Sequence, residues 1–291
     1  MGYRFYTYDH SSNTLMAQPI EVFSYPMGDI TVRVKKDMKL MSGAHVMWVD
    51  SSAPDWTLVN EWAELVRDSD KRILVLPYLP SARGDKDVPS PARTNARFAA
   101  LSGATDIITL DPHSDVWLDT VRAVNPCVRI HVISAADLFS AAGISTEYVG
   151  VIAPDEGAQR RAGEVAELLG VPVYTAIKHR DPATGWITRY EAPVGAPTAG
   201  RLLVVDDICD GGATFNVLAN GMPANMKLDL WVTHGGFTKG FTPLLDSFDH
   251  IYTTDSILRK TPDGYDPQRV DIFDMFPRVS KVVRGIVNGG M

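Results

Sequence analysis

Cysteine is nearly missing from this chain: Cys127 and Cys209 are the only two among 291 residues. They are too few and too isolated for a disulfide framework or a zinc site. A reducing, cytoplasmic location is the corresponding expectation. Long apolar runs are missing as well. None approaches the roughly 20 residues of a membrane span, and the opening MGYRFYTYDH has no secretion-signal core. Positive charge is in deficit, with 28 Lys and Arg against 35 Asp and Glu, a net charge of −7. That balance argues against nucleic acid as the main partner, because a phosphate backbone needs a basic face. Repeats, low-complexity tracts and heptads do not occur. Neither the Walker loop nor the G-x-G-x-x-G fingerprint is present with its required spacing. What the chain does have is apolar content, 45% of its residues. That is enough for a packed core, and the length suits about two domains.

Short apolar runs and amphipathic stretches alternate along the chain. Gly2–Tyr8, Ile30–Val34, His45–Val49, Ile73–Leu76 and Asp106–Leu110 read as strands, with helices over Trp56–Arg67 and Arg93–Ser102. Asp9–Gln18 reads as polar and turn-like, and Pro77–Pro91 as a long polar loop. The second half repeats the plan. Strands are expected at Tyr148–Ala153, Val171–Thr175, Arg201–Val205, Asp229–Thr233 and His250–Thr254, with helices over Gln159–Leu169 and Val279–Val287. This alternation predicts an α/β protein of two doubly wound, mostly parallel-sheet domains. The boundary is placed so that residues 1–138 form the first and 139–291 the second, with the terminal helix free to pack back on the first.

The most informative stretch is RLLVVDDICDGGATFNVLAN, residues 201–220. A buried strand runs into Asp206 and Asp207, then Asp210, Gly211, Gly212, Ala213 and Thr214, then a helix. Small residues let backbone N–H groups close on an anion, and a helix N-terminus adds its positive dipole end. Three neighbouring carboxylates are costly unless hydroxyls or a cation offset them. Asp206 and Asp207 suit ribose hydroxyls, directly or through a metal.

Other candidates stand where strands are expected to end. Asp111, His113 and Asp115 form a cluster suited to magnesium with one imidazole, and Asp155 is a further carboxylate of that kind. Arg83 is able to lie flat on a purine or to clamp phosphates. Lys178 and Arg180 sit two apart in a polar loop, as a transferring phosphoryl group requires.

Taken together, the chain resembles the ribose-phosphate diphosphokinase (PRPP synthetase) family over nearly its whole length. Its phosphate loop, Val205 to Thr214, resembles that of the type I phosphoribosyltransferase fold, which the family shares. The F-x-D-G-E turn of the family stands here as Tyr25-Pro26-Met27-Gly28-Asp29. Its P-Y-x-x-x-A-R-Q-D-R loop is Pro77-Tyr78 followed by Ala82-Arg83-Gly84-Asp85-Lys86. The D-L-H-A segment is Asp111-Pro112-His113-Ser114, and S-P-D-x-G is Ala153-Pro154-Asp155-Glu156-Gly157. K-R-R-P is Lys178-His179-Arg180-Asp181-Pro182, and T-H-x-x-F is Thr233 to Phe237.

The resemblance implies Mg²⁺-dependent transfer of diphosphate from ATP to the 1-hydroxyl of ribose 5-phosphate, in nucleotide biosynthesis. Tyr25 from a neighbouring subunit, Arg83, Asp29 and Gly84 would form the nucleotide site. His113 and Asp155, with Asp111 beside them, would hold magnesium. Lys178, Arg180 and His113 would be the catalytic set. Asp206 and Asp207 would take the ribose hydroxyls, and Asp210, Gly211, Gly212, Ala213 and Thr214 the 5-phosphate. The partners implied are small molecules and further copies of the chain, as a dimer or hexamer, with no nucleic acid and no membrane.

Departures cluster at the substrates. Met27 and Gly84 replace the family's Asp and Gln at the base, and the loop is D-G-G-A-T instead of D-T-G-G-T. An enlarged sugar-phosphate site taking an acceptor such as ADP-ribose is one expectation from Gly211. Two other readings compete. A phosphoribosyltransferase leaves Tyr25, Arg83 and His113 unexplained. A non-catalytic associated subunit should have lost Lys178 and Arg180, which remain.

Overall fold

The computed structural model describes residues 2–50, 53–180, 187–191, 195–258 and 260–289, without the side chains of residues 180, 187 and 188. The chain divides into two compact units, Met1–Ile133 with Phe276–Met291, and Ser134–Met275.

The first unit opens with β1 (Tyr3–Asp9) and β2 (Thr14–Ala17), then the pair β3 (Ile20–Ser24) and β4 (Ile30–Val34). β5 (His45–Val49), α1 (Trp56–Leu65), β6 (Arg72–Leu76) and α2 (Pro91–Ala100) follow. β7 (Asp106–Leu110), α3 (Asp115–Val124) and β8 (Arg129–Ile133) complete the run. The sheet order is β2-β1-β5-β6-β7-β8, parallel from β5 to β8, with β1 and β2 antiparallel. Every residue of β5 and β7 is buried, as strands covered on both faces require. Helix starts follow local chemistry. Asp55 accepts from the Thr57 N–H, and Ser90 accepts from Arg93 N–H with Pro91 in the first turn. Trp62, Trp117, Leu58, Leu76 and Ile107 share one core. Asp9–Gln18, read as a turn, contains β2, because Thr14–Asp9 and Ala17–Tyr6 register it on β1.

The second unit begins with α4 (Ala135–Ala142), a Ser134–Asp137 capping box closed by Gly143 at φ 66°. β9 (Gly150–Ala153), α5 (Gln159–Leu169) and β10 (Val173–Thr175) follow. β11 (Ile177–Arg180) pairs antiparallel with β12 (Ile187–Glu191). The segment read as a polar loop is thus a hairpin at both described ends. β13 (Gly200–Cys209), α6 (Ala213–Asn220), β14 (Met226–Gly235), α7 (Thr242–Leu245), β15 (His250–Thr254) and β16 (Val270–Phe273) complete the unit. Its sheet, β10-β9-β13-β14-β15-β16, is parallel throughout. The last helix, α8 (Phe276–Val287), belongs to the first unit, where Phe276 lies 5.3 Å from the Tyr6 ring and 6.0 Å from Trp48. Among the described residues no helix is long and apolar enough to cross a membrane.

Candidate active site

Open α/β sheets bind ligands outside the carboxyl ends of their parallel strands. Several of the candidates in each unit fall at such ends. In the first unit Tyr78 and the 3-10 turn Ala82–Gly84 follow β6, and Asp111 and His113 follow β7. Asp111 is buried, has φ +31°, and donates its N–H to the Ile133 carbonyl at 2.8 Å. A non-glycine residue in that region stores strain, which is common where a side chain is aimed for function. His113 is half-buried and Arg83 is exposed. Gly84 is buried, and a Cβ there would stand 2.4 Å from Pro91 Cγ. The place where the family carries a glutamine therefore has no space for any side chain.

Tyr25 and Asp29 close the β3–β4 turn, Tyr25 N–H donating to the Asp29 carbonyl at 2.7 Å and Gly28 N–H to the Tyr25 carbonyl at 2.9 Å. The Tyr25 ring stands edge-on to Phe23, centroids 4.9 Å apart, and is half exposed; Arg33 covers Phe23 at 3.5 Å.

In the second unit Asp155 follows β9. One carboxylate oxygen accepts from the Ala158 N–H at 3.1 Å, the other from Lys178 Nζ at 2.6 Å. Burial acts to raise the Asp155 pKa, but the Lys178 ammonium and the backbone N–H groups outweigh it and hold the carboxyl below its usual range. Lys178 lies in β11. Arg180 ends that strand, and its side chain lies outside what the structure describes.

The acidic pair does not close β13. The strand continues past it, Ile208 pairing with His234 and Cys209 with Gly235 on β14. The expected strand end at Val205 is therefore corrected to Cys209. The carboxylates interrupt the apolar run, and pairing with β14 resumes past them at Ile208. Asp207 is buried, and Arg161 of α5, also buried, brings Nη2 to 3.8 Å from its carboxylate. Asp206 accepts the Asp207 N–H at 2.9 Å. Burial and then the Asp207 charge drive the Asp206 pKa well above the carboxylate range, against the pull of Arg161. The pair brings carboxylate oxygens together beside one cation, an arrangement fitted to hydroxyl ligands.

The loop turns at Gly212, φ +79°, which leads into α6. Gly212 stands at the N-cap of that helix and brings no side chain to cap it. The Asp210 carboxylate accepts from Thr238 Oγ1 at 2.8 Å, and Thr238 N–H donates to the Asp210 carbonyl at 3.0 Å. Arg161 and Thr238 are missing from the residues that sequence reasoning singled out. Thr238 follows directly on the Thr233–Phe237 motif, and Arg161 is an arginine on the buried side of a predicted amphipathic helix.

A magnesium ion prefers oxygen ligands and keeps several waters. Among the described residues no three His, Cys, Asp or Glu side chains gather as a preformed cage. The donor chemistry of Asp111 and His113 in the first unit, and of Asp155 in the second, is of the kind that suits a cation bringing waters and phosphate oxygens with it.

No family model matches the chain. A ribose-phosphate pyrophosphokinase of Maricaulis maris is 26% identical, over 96% of this chain and 92% of that protein. Ribose-phosphate pyrophosphokinase 2 of Enterococcus faecalis is 28% identical, over 73% of this chain and 67% of that protein. The solved phosphoribosylpyrophosphate synthetase of Mycobacterium smegmatis superposes with a TM-score of 0.73 at 20% identity, covering 94% of this chain and 92% of that one. That likeness shows the fold, the type I phosphoribosyltransferase arrangement in two mostly parallel sheets.

Proposed function

We propose that this chain, which belongs with the ribose-phosphate pyrophosphokinases (PRPP synthetases) by sequence and by fold, makes PRPP by transferring diphosphate to a ribose phosphate. ATP is the donor and AMP the leaving group. The 1-hydroxyl of ribose 5-phosphate attacks the β-phosphorus in line, and the β–α bridging oxygen departs with AMP. The observation that carries this reading is the run from the Asp206–Asp207 pair inside β13, through the loop that turns at Gly212, to the N-terminus of α6.

In this reading Asp206 and Asp207 accept from the ribose hydroxyls and fix the sugar. Gly211 to Thr214 present backbone N–H groups to the 5-phosphate. Lys178 exchanges Asp155 for the transferring diphosphate and meets the charge that develops there, and Arg180 is assigned the same task. His113, Asp111 and Asp155 are the residues that would hold magnesium. When bound, that ion neutralises the phosphate oxygens and weakens their repulsion of the attacking hydroxyl. Tyr25 of a second copy, Arg83 and Asp29 bind the nucleotide. Positioning and charge neutralisation supply most of the rate.

Free ribose 5-phosphate is the acceptor of this reading, in keeping with the ribose phosphate that the relatives' names carry. ADP-ribose is the alternative that the missing threonine at Gly211 raises. A Cβ at 211 would meet Lys239 Cγ at 3.2 Å, on an exposed and movable side chain, so the loop backbone leaves both acceptors to be tested. The test is AMP release from ATP and Mg²⁺ across both acceptors, with PRPP identified by mass. Equal or greater turnover with ADP-ribose rejects this choice of acceptor, and no AMP with either rejects the activity.

A further inference from the structure

We propose that Lys239 is an acceptor-binding residue of the phosphate loop, its ammonium group meeting the 5-phosphate that the loop receives. This rests on the reading of residues 210–214 as the ribose-phosphate loop.

Glycine is required at position 212 by its backbone, φ +79°, but Gly211 lies outside the left-handed region, so backbone geometry does not demand glycine there. Space does. An ideal Cβ at 211 would sit 3.2 Å from Lys239 Cγ and 3.6 Å from Thr238 Oγ1. The stem of Lys239 therefore passes across the loop backbone at the point where a side chain is missing. Two methylenes beyond Cγ, the ammonium group is free to reach the anion that the loop holds.

The placement of Lys239 is built into the fold. Gly236 N–H donates to the Cys209 carbonyl at 2.7 Å, and Thr238 N–H donates to the Asp210 carbonyl at 3.0 Å. Thr238 Oγ1 adds a bond of 2.8 Å to the Asp210 carboxylate. The segment 236–238 is thereby tied along residues 209–210, and it delivers the next residue, Lys239, onto Gly211. Lys239 is exposed and makes no ion pair with any described residue.

Electrostatics gives the reason for a cation at this place. Asp206, Asp207 and Asp210 all stand within four residues of the loop, and Arg161 is already committed to Asp207. A dianionic phosphate entering beside carboxylates is opposed unless a nearby cation offsets them. Lys239 is placed to do this, and Gly211 is small so that it can. The two positions act as a unit, a bare backbone and a lysine stem sharing one volume.

The experiment is calorimetric titration of the full-length protein with ribose 5-phosphate, paired with steady-state PRPP formation. Lys239→Met should weaken ribose 5-phosphate binding about tenfold and raise its KM to match. Lys239→Arg should restore most of the loss, the KM for ATP should not move, and the Lys239 contribution should shrink as ionic strength rises. Gly211→Thr should weaken binding too, and less so in a Lys239→Gly background, because the stem is no longer displaced. Wild-type affinity in Lys239→Met overturns the proposal, and PRPP formation that continues unchanged leaves the activity standing. Failure of the wild type to bind ribose 5-phosphate also overturns it. Lys239-dependent binding without any PRPP formed keeps the inference and rejects the activity.

Discussion

Lys178 Nζ donates to the Asp155 carboxylate at 2.6 Å, a contact between strand β11 and the turn after β9. A lysine proposed to meet transferring phosphates is thus held by a carboxylate proposed to bind magnesium. Each group satisfies the other in this structure. Lys178→Ala should cut PRPP formation by roughly a thousandfold, the scale on which removal of one preorganised charge acts. Its unfolding midpoint should change little, because both side chains are partly exposed. AMP release measured at saturating ATP checks this, and unchanged turnover rejects the role given to Lys178.

Arg161 and Asp207 are both more than nine-tenths buried, 3.8 Å apart. Arg161→Met should destabilise the protein by about 3 kcal/mol, because Asp207 is left buried without its cation. Adding Asp207→Asn should recover part of that loss. Urea unfolding of the three variants reads the coupling. A single variant as stable as the wild type would show that the pair is incidental.

Asp106 carries a pH-dependent share of stability. Burial acts to raise its pKa, but His131 and the Arg129 guanidinium outweigh it and hold the carboxyl far below its usual range. Arg129 reaches it with Nε at 2.9 Å and Nη2 at 2.8 Å, and His131 Nε2 stands 2.9 Å away. A depressed folded pKa gives stability that is present above the unfolded value, about 3.9, and is lost as pH falls through the folded one. Asp106→Asn should cost roughly 2 kcal/mol at neutral pH, less than a fully buried pair because Arg129 is half exposed. The difference between wild type and variant should narrow below about pH 4. A gap that widens on acidification contradicts this account.

Adjacent glycines should respond differently. Gly212→Ala forces a side chain into φ +79° and against Leu244 at 2.9 Å, and should cost roughly 2 kcal/mol. Gly211→Ala has an ordinary backbone and one movable neighbour, and should cost less than about 1 kcal/mol. Thermal unfolding of both variants distinguishes backbone strain from loss of space. Equal shifts would refute the distinction.

The sequence by itself determined what is local. Apolar runs at His45–Val49 and Asp106–Leu110 became fully buried parallel strands. Asp111, Asp155 and the Asp210–Thr214 loop could be placed near strand ends, because a strand stops its apolar run where the chain meets solvent. The reading failed where a ladder outvoted the pattern. β13 continues beyond its carboxylates because β14 continues beside it, and Thr14–Ala17 is a strand because β1 offers it an edge.

Only the tertiary structure decided which charges meet. Lys178 with Asp155, Arg161 with Asp207, and Lys239 across Gly211 each join residues more than 20 positions apart in the chain. A local pattern records the face on which a residue lies. The residue opposite depends on how sheet order folds distant segments together, and no periodicity along the chain carries that information.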